Sequence, residues 1–342
     1  WVAHADPAHV ELHLFHTGSI RDSETASAAR AAKKLHFGLG DWGLWAKAIS
    51  DSRLDALIYP DVGMDDATSM RLAALRLART QVASWGHPIT TGLPTIDAFV
   101  SAEGLEPEDA ASHYSETLIR LPRLGCCYRP YGTPARAPDL SAWDIGQDER
   151  LLICAGTPFK YSPADDAVLV EIARRCKPCK LIFFRASPAA LSTLLEQRLR
   201  AAFDAARMRF EDYVRFVPWL SQADFFGLLH RADVYLDTIG FSGFNTAMQA
   251  LECGTPIVAW EGAVMRGRFA SGILRQAGLD AWVADTHAGY VERVERLCAD
   301  GALRATVRAQ IAERMPRLWN DKAAATALWE VLGAFSPVSA AS

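Results

Sequence analysis

Residues 233–256 read Asp-Val-Tyr-Leu-Asp-Thr-Ile-Gly-Phe-Ser-Gly-Phe-Asn-Thr-Ala-Met-Gln-Ala-Leu-Glu-Cys-Gly-Thr-Pro. Val234 to Leu236 has the character of a buried strand and Gly240 to Gly243 that of a flexible turn. Asn245 to Cys253 reads as a helix closed by Gly254 and stopped by Pro256. Ile257 to Trp260 supplies the next strand. A strand, a glycine turn and a helix opening on Asn-Thr leave backbone N–H groups converging on one spot, where the helix dipole also favours negative charge. The pattern predicts a phosphate site. The plainer alternative is an ordinary βαβ unit with a capped helix, and the rest of the chain decides between them.

Upstream, Leu151 to Ala155 is a strand that runs into Gly156-Thr-Pro-Phe-Lys-Tyr-Ser-Pro163, a loop whose only charge is Lys160. A helix follows from Asp165 to Cys176, then a strand from Leu181 to Phe184. Leu191, Leu194, Leu195, Leu199 and Phe203 form one face of a long amphipathic helix. Val214 to Val217 leads into Pro218-Trp-Leu-Ser221, and Ser221 or Gln222 opens a helix to His230. Downstream, Arg266, Arg268 and Ser271 begin another helix, Ala281 to Ala284 is a late strand, and three amphipathic helices precede an Ala-Ser tail after Pro337.

The first half alternates in the same way. Val10 to Phe15 is a strand, Ser23 to Lys34 a helix capped by Asp22 or Ser23, Leu54 to Tyr59 a strand and Ala67 to Leu77 a helix. Gln81 to Ser84 runs into Trp85-Gly-His-Pro-Ile-Thr-Thr-Gly92, the kind of loop that faces a ligand at a strand's carboxyl end, and His87 stands inside it. Ala98 to Ser101, Pro107 to Tyr114 and Leu118 to Leu121 continue the alternation. Gly38-Leu-Gly-Asp-Trp-Gly43 matches the letters of a dinucleotide fingerprint, with Asp61 spaced to hold a ribose. That nicotinamide reading is the weaker one, because Trp42 is bulky where backbone must approach a pyrophosphate. Pro130, Pro134 and Pro138 break the periodicity, which predicts a first domain over 1–130, a linker over 131–148 and a second domain over 149–335.

The chain has 342 residues, half of them hydrophobic, enough for two cores. A formal net charge of −4 gives no basic footprint, so nucleic acid is not an expected partner. No apolar run reaches the roughly 20 residues that span a bilayer. Seven cysteines, two of them adjacent at Cys126-Cys127, suggest a reducing, cytoplasmic setting. Cys176-Lys-Pro-Cys179 has redox-motif spacing but lacks a second pair or a nearby histidine pair, and reads as structural. The chain opens on Trp1 without a signal segment, as a piece cut from something longer would.

Together these residues resemble the catalytic region of the protein O-linked N-acetylglucosamine transferases, especially bacterial relatives with tetratricopeptide repeats ahead of it. The resemblance rests on Asp55 to Met64, Leu72 to Ala78, Ser84 to Gly92, His113-Tyr-Ser-Glu116, Leu121-Pro122, Phe159-Lys160 and Ala232 to Pro256. It implies an α/β chain of GT-B type, two Rossmann-like doubly wound domains facing a cleft, with the donor held by the second and the acceptor entering from the first. It also implies an inverting, metal-independent transfer of N-acetylglucosamine or a hexose from a UDP-sugar to a side chain of an acceptor protein or peptide, with a Ser or Thr hydroxyl as the expected acceptor. The repeats would lie in the full-length chain. No Asp-x-Asp occurs to hold a cation on a diphosphate, so fixed donors and a side-chain cation must stabilise the leaving group.

Carried over residue by residue, the resemblance makes Lys160 the diphosphate-binding lysine and Thr157 a contact to the same phosphates. Asn245 and Thr246, behind Gly243 and Phe244, match a Thr-Thr pair at the helix start, and Gln249 matches an aspartate on the ribose. Trp219, Leu220 and Gln222 match the uracil loop, where the family has a lysine at Gln222, and Arg268 matches an arginine after the next glycine-containing loop. Lys160 and His87 are the candidate catalytic residues, with no metal ligand and no cofactor beyond the donor. A first strand, a histidine-bearing loop and a helix that precede Val10 in the family are missing, which implies a fragment or a degenerate protein. The competing readings are a nucleotide-sugar epimerase, which would use His87 and Asp61, and a module that binds a UDP-sugar without turnover.

Overall fold

The computed structural model describes residues 1–64 and 67–334, and the expected Ala-Ser tail after Pro337 lies outside the described residues. The chain divides into two compact units, residues 1–128 together with the segment from Asn320, and residues 129–319. Among the described residues no helix is long and apolar enough to cross a membrane.

The first unit runs β1 (His13–His16), α1 (Ser23–Ala31), β2 (Lys34–Phe37), α2 (Trp42–Asp51), β3 (Ala56–Tyr59), α3 (Thr68–Ala73), β4 (Thr80–Ser84), β5 (Ala98–Ala102) and β6 (Thr117–Leu121). β1 and β2 pair as a parallel two-stranded sheet, and β3 to β6 form a parallel four-stranded sheet in chain order. Asp22 caps α1 as expected, accepting from the Thr25 N–H at 2.8 Å. α3 is shorter than its apolar pattern suggests. The buried Gln81 side chain accepts from Leu77 N–H and donates to the Leu75 carbonyl, taking backbone groups that a longer helix would have used.

The glycine-rich stretch from Gly38 to Gly43 does not form a phosphate cradle. Asp41 caps α2 and accepts from the Gly43 and Leu44 N–H groups at 2.8 and 3.3 Å, so the donors a pyrophosphate would need are engaged by a carboxylate. Trp45 and Ile49 on the same helix are buried in the core with Leu57, Tyr59 and Phe99. The dinucleotide reading fails on this geometry.

The second unit runs β7 (Arg150–Cys154), α4 (Asp166–Arg175), β8 (Cys179–Phe184), α5 (Ala189–Ala205), β9 (Val214–Val217), α6 (Gln222–Arg231), β10 (Val234–Leu236), α7 (Phe244–Glu252), β11 (Ile257–Trp260), α8 (Phe269–Gln276), β12 (Val283–Ala284), α9 (His287–Ala299) and α10 (Gly301–Arg314). Its six strands are all parallel, in the order β12-β11-β10-β7-β8-β9. β8 and β10 are buried at every position, as strands covered by helices on both faces must be. Having built outward from β7 to β9, the chain crosses back to lay β10 on the other side of β7. This reversal leaves a crevice at the carboxyl ends of β7 and β10, where open α/β sheets bind ligands.

α11 (Ala323–Ala334) closes the chain. Expected within the second domain, it groups instead with the first unit, where Ala324 and Leu328 are buried against Val82, Val100 and Leu121. Asn320 N–H donates to the Tyr128 carbonyl at 2.8 Å, and Arg123 pairs with Asp321 at 3.1 Å, fixing the point of return.

Candidate active site

The two loops at the crevice are packed tightly enough to require glycine. A Cβ on Gly156, in the loop after β7, would lie 2.3 Å from Thr238 Oγ1 in the loop after β10, and one on Gly243 would lie 2.4 Å from Thr246 Oγ1. Gly243, not Asn245, is the residue before the helix, and no side chain caps α7. The helix therefore starts one residue earlier than its Asn-Thr signal suggests, with Asn245 exposed and Thr246 half-buried in the first turn. Its amino end is turned toward the crevice without a capping carboxylate of its own.

Lys160 enters the same place from a short 3-10 turn, Pro158 to Lys160, that follows Thr157. Its Nζ sits 4.4 Å from the centre of the Phe241 ring, and the guanidinium carbon of Arg266 sits 5.6 Å from that centre. Two cations thus share one aromatic ring, and neither forms an ion pair with a carboxylate among the described residues. Burial lowers the pKa of the Lys160 ammonium, while the charge of Asp237 opposes that shift. Both cations are thereby available to an anion that enters beside the ring. Lys160, Arg266 and Phe241 line a groove of about 540 Å³ that continues along Leu191 and Leu194 of α5. Arg198 anchors its floor, donating to Asp166 at 2.7 Å and to the Tyr161 carbonyl at 2.7 Å.

Beneath the turn lies Asp237, only 2% exposed. Its Oδ1 accepts from Ser242 Oγ at 2.9 Å and from Gly243 N–H at 3.3 Å, whereas Oδ2 is buried without a partner among the described residues. Burial pushes its carboxyl up to about 7, against the pull of the Ser242 and Gly243 donors and the charge of Lys160.

The structure brings Thr157, Lys160, Gly243, Phe244, Asn245 and Thr246 to the crevice, with Gln249 one turn further along α7. Trp219, Leu220 and Gln222 lie apart from them, between the edge strand β9 and the start of α6, and Trp219 is 75% exposed. Arg268 is turned away: it pairs with Glu261 at 2.5 Å and donates to the Gly262 carbonyl at 3.0 Å. Arg266, two residues earlier, is the arginine that lines the groove beside Phe241. Asp237 and Arg198 were not legible as site residues; the first reads as the end of an apolar strand and the second as one polar position on an amphipathic helix.

His87 lies in the first unit, in the loop after β4. Its Nδ1 is 2.7 Å from the Val62 carbonyl, which only accepts, so Nδ1 carries the proton and Nε2 of the neutral ring holds the lone pair. Glu116 ties down the same loop, accepting from Thr90 Oγ1 at 2.6 Å and Thr91 N–H at 2.7 Å.

A doubly wound sheet with its cationic groove at the strand reversal defines a class, and comparison with solved structures agrees on it. An O-GlcNAc transferase variant from Thermobaculum terrenum aligns over 97% of this chain and 63% of its own, with a TM-score of 0.83 at 21% identity. Sucrose-phosphate synthase from Thermosynechococcus elongatus aligns over 94% and 88%, with a TM-score of 0.61 at 13% identity. The fold is that of GT-B glycosyltransferases.

Sequence comparison adds similarities at the level of individual relatives. Residues 211–327 match the model of Glycosyl transferase family 41. A probable UDP-N-acetylglucosamine–peptide N-acetylglucosaminyltransferase SPINDLY of Solanum lycopersicum is 25% identical over 80% of this chain and 30% of its own length. A UDP-glucose:protein N-beta-glucosyltransferase of Actinobacillus pleuropneumoniae serotype 7 (strain AP76) is 26% identical over 78% and 42%. The chain is similar to the catalytic region of the O-GlcNAc transferase-type glycosyltransferases, and it spans less than half the length of these two curated relatives.

Proposed function

We propose that this chain transfers a sugar from a UDP-sugar to a side chain of an acceptor protein. The observation that carries the reading is the convergence of Lys160 and Arg266 over Phe241 at the sheet reversal, beside the uncapped start of α7. In the transfer an acceptor oxygen forms a bond to the anomeric carbon on the face opposite the diphosphate, inverting it. The bond to the β-phosphate oxygen breaks and its electron pair leaves on UDP. The growing charge there meets an ammonium, a guanidinium and a helix amino end held in advance. The proton of the acceptor hydroxyl goes to a base, for which the Nε2 lone pair of His87 is the candidate in the first unit.

N-acetylglucosamine and a peptide acceptor are supported by the plant relatives' names, and glucose and a protein acceptor by the bacterial one; a Ser or Thr hydroxyl as the accepting group is carried by the resemblance alone. Seven free cysteines support a reducing, cytoplasmic setting. Release of UDP that requires both a UDP-sugar and an acceptor protein tests the assignment. Interconversion of UDP-sugars without an acceptor would replace it with epimerisation. Turnover is expected to persist in EDTA, because cations and backbone donors already serve the diphosphate. Loss of activity with chelator and recovery with manganese would overturn that part.

A further inference from the structure

The buried carboxyl of Asp237 has no part in the scheme above, yet it holds the site together. Ser242, fully buried, donates to Asp237 Oδ1 at 2.9 Å and accepts from the Ala270 N–H in the first turn of α8 at 2.8 Å. Ser242 N–H donates to the Arg266 carbonyl at 2.9 Å, and Gly243 N–H donates to Asp237 at 3.3 Å. One carboxyl therefore fixes the turn that carries Phe241, the amino ends of α7 and α8, and the backbone of Arg266. Tyr290 of α9 donates to the Asp237 backbone carbonyl at 2.7 Å and holds the end of β10 from the opposite side.

We infer that Asp237 is a positioning residue that serves as the resting counter-charge of Lys160 and takes up a proton when the diphosphate binds. Several titratable and charged groups face it: Lys160 and Tyr161 from the loop after β7, Cys154 of β7, Tyr235 of β10, Tyr290 of α9 and Asp165 before α4. Of these only Lys160 brings positive charge. An arriving diphosphate takes Lys160 as its own partner and adds negative charge beside a carboxylate whose Oδ2 has no donor among the described residues. Both changes favour the protonated carboxyl, which has a hydroxyl to donate and no charge to desolvate. The proton comes from solvent, and Oδ1 keeps its two donors, so the turn is held in either state. A cavity of about 20 Å³ lined by Cys154, Asp165, Asp237 and Tyr290 is large enough to hold a single water.

The inference rests on the diphosphate reading, and the test separates the two. UDP is titrated into the protein at mildly alkaline pH, where its terminal phosphate is fully ionised, and followed by calorimetry and by infrared difference spectroscopy. The expected result is binding heat together with a new carbonyl stretch of a protonated carboxyl. That band is lost in Asp237→Asn and shifted when aspartate side chains carry carbon-13; the label keeps the assignment secure if the variant does not fold. In the free protein the band titrates away around neutral pH, and with UDP it persists to higher pH. Binding heat with no new band, or with the same band in Asp237→Asn, overturns the inference and leaves the diphosphate reading standing. No binding heat from the folded protein overturns both.

Discussion

The phenol of Tyr235, buried in β10, lies 2.8 Å from the hydroxyl of Thr246 in the first turn of α7 and donates to it. A threonine hydroxyl has one hydrogen to give and two lone pairs to receive. With one lone pair taken by Tyr235, the hydrogen of Thr246 is left to point at an anion in front of the helix. Thr246→Val should weaken UDP binding by about 1.5–3 kcal/mol, the worth of a hydrogen bond to a charged group, and Thr246→Ser should be nearly silent. Calorimetric titration of both variants is the check. Equal affinities would mean that the hydroxyl serves only Tyr235.

Lys160→Ala addresses the leaving group. The ammonium interacts with the diphosphate in the ground state, but its contribution grows as a further negative charge collects on the β-phosphate. Turnover in the full-length protein should fall at least ~100-fold, or about 2.7 kcal/mol, with a much smaller change in UDP-sugar affinity. A folded variant that turns over within a few-fold of the parent would remove Lys160 from the mechanism.

The two neighbouring arginines should separate cleanly. Arg268 spans Glu261 and the Gly262 carbonyl, so Arg268→Ala is expected to cost about 1.5–3 kcal/mol of stability and to affect UDP only through the fold. Arg266→Ala should do the reverse, lowering UDP affinity with a near-parental melting temperature. Thermal unfolding with and without UDP measures both quantities. The opposite pattern would restore Arg268 to the position the sequence alone assigned it.

Glu116 makes the loop around His87 sensitive to acid. Burial works to raise its pKa, but the donors from Thr90 and Thr91 outweigh it and hold the carboxyl below its ordinary value. A depressed carboxyl contributes stability that is complete above the unfolded-state pKa and is lost as pH falls through the folded one. The parent should lose stability on acidification below the usual glutamate range. Glu116→Gln should be less stable at neutral pH and should lack that part of the pH dependence. Parallel unfolding curves for the two proteins across the acid range would show that the contacts contribute nothing.

Local signals told most of the architecture. The β10 to α7 unit could be read because an apolar run, a glycine turn and a periodic helix are written side by side, and Asp22 and Ser221 announce their helices in the same way. What the sequence hid depended on distance. Choosing Arg266 over Arg268 required knowing that Phe241, some 25 residues upstream, would lie beneath the loop. Asp237 looked like the polar end of a strand until Ser242 and Gly243 closed over it. α2 was concealed because its cap sits in a glycine-rich stretch that resembles a turn, and Trp42, which argued against a cofactor there, is the helix's first residue. The uracil loop around Trp219 remains an expectation carried by resemblance, since nothing in its packing distinguishes it from an exposed turn.

The return of α11 to the first unit has a consequence for how the protein is made. Val82, Val100 and Leu121 are translated early, yet the residues that cover them, Ala324 and Leu328, leave the ribosome only after the whole of residues 129–319. At roughly 5–20 residues per second that interval lasts on the order of 10–40 s, during which one face of the first sheet waits without its lid while the second unit is produced between its two parts. A chain that stalls or is clipped before Asn320 would carry a finished second unit and a sticky, half-dressed sheet in the first, and such truncated products are the ones that chaperones and proteases would have to collect.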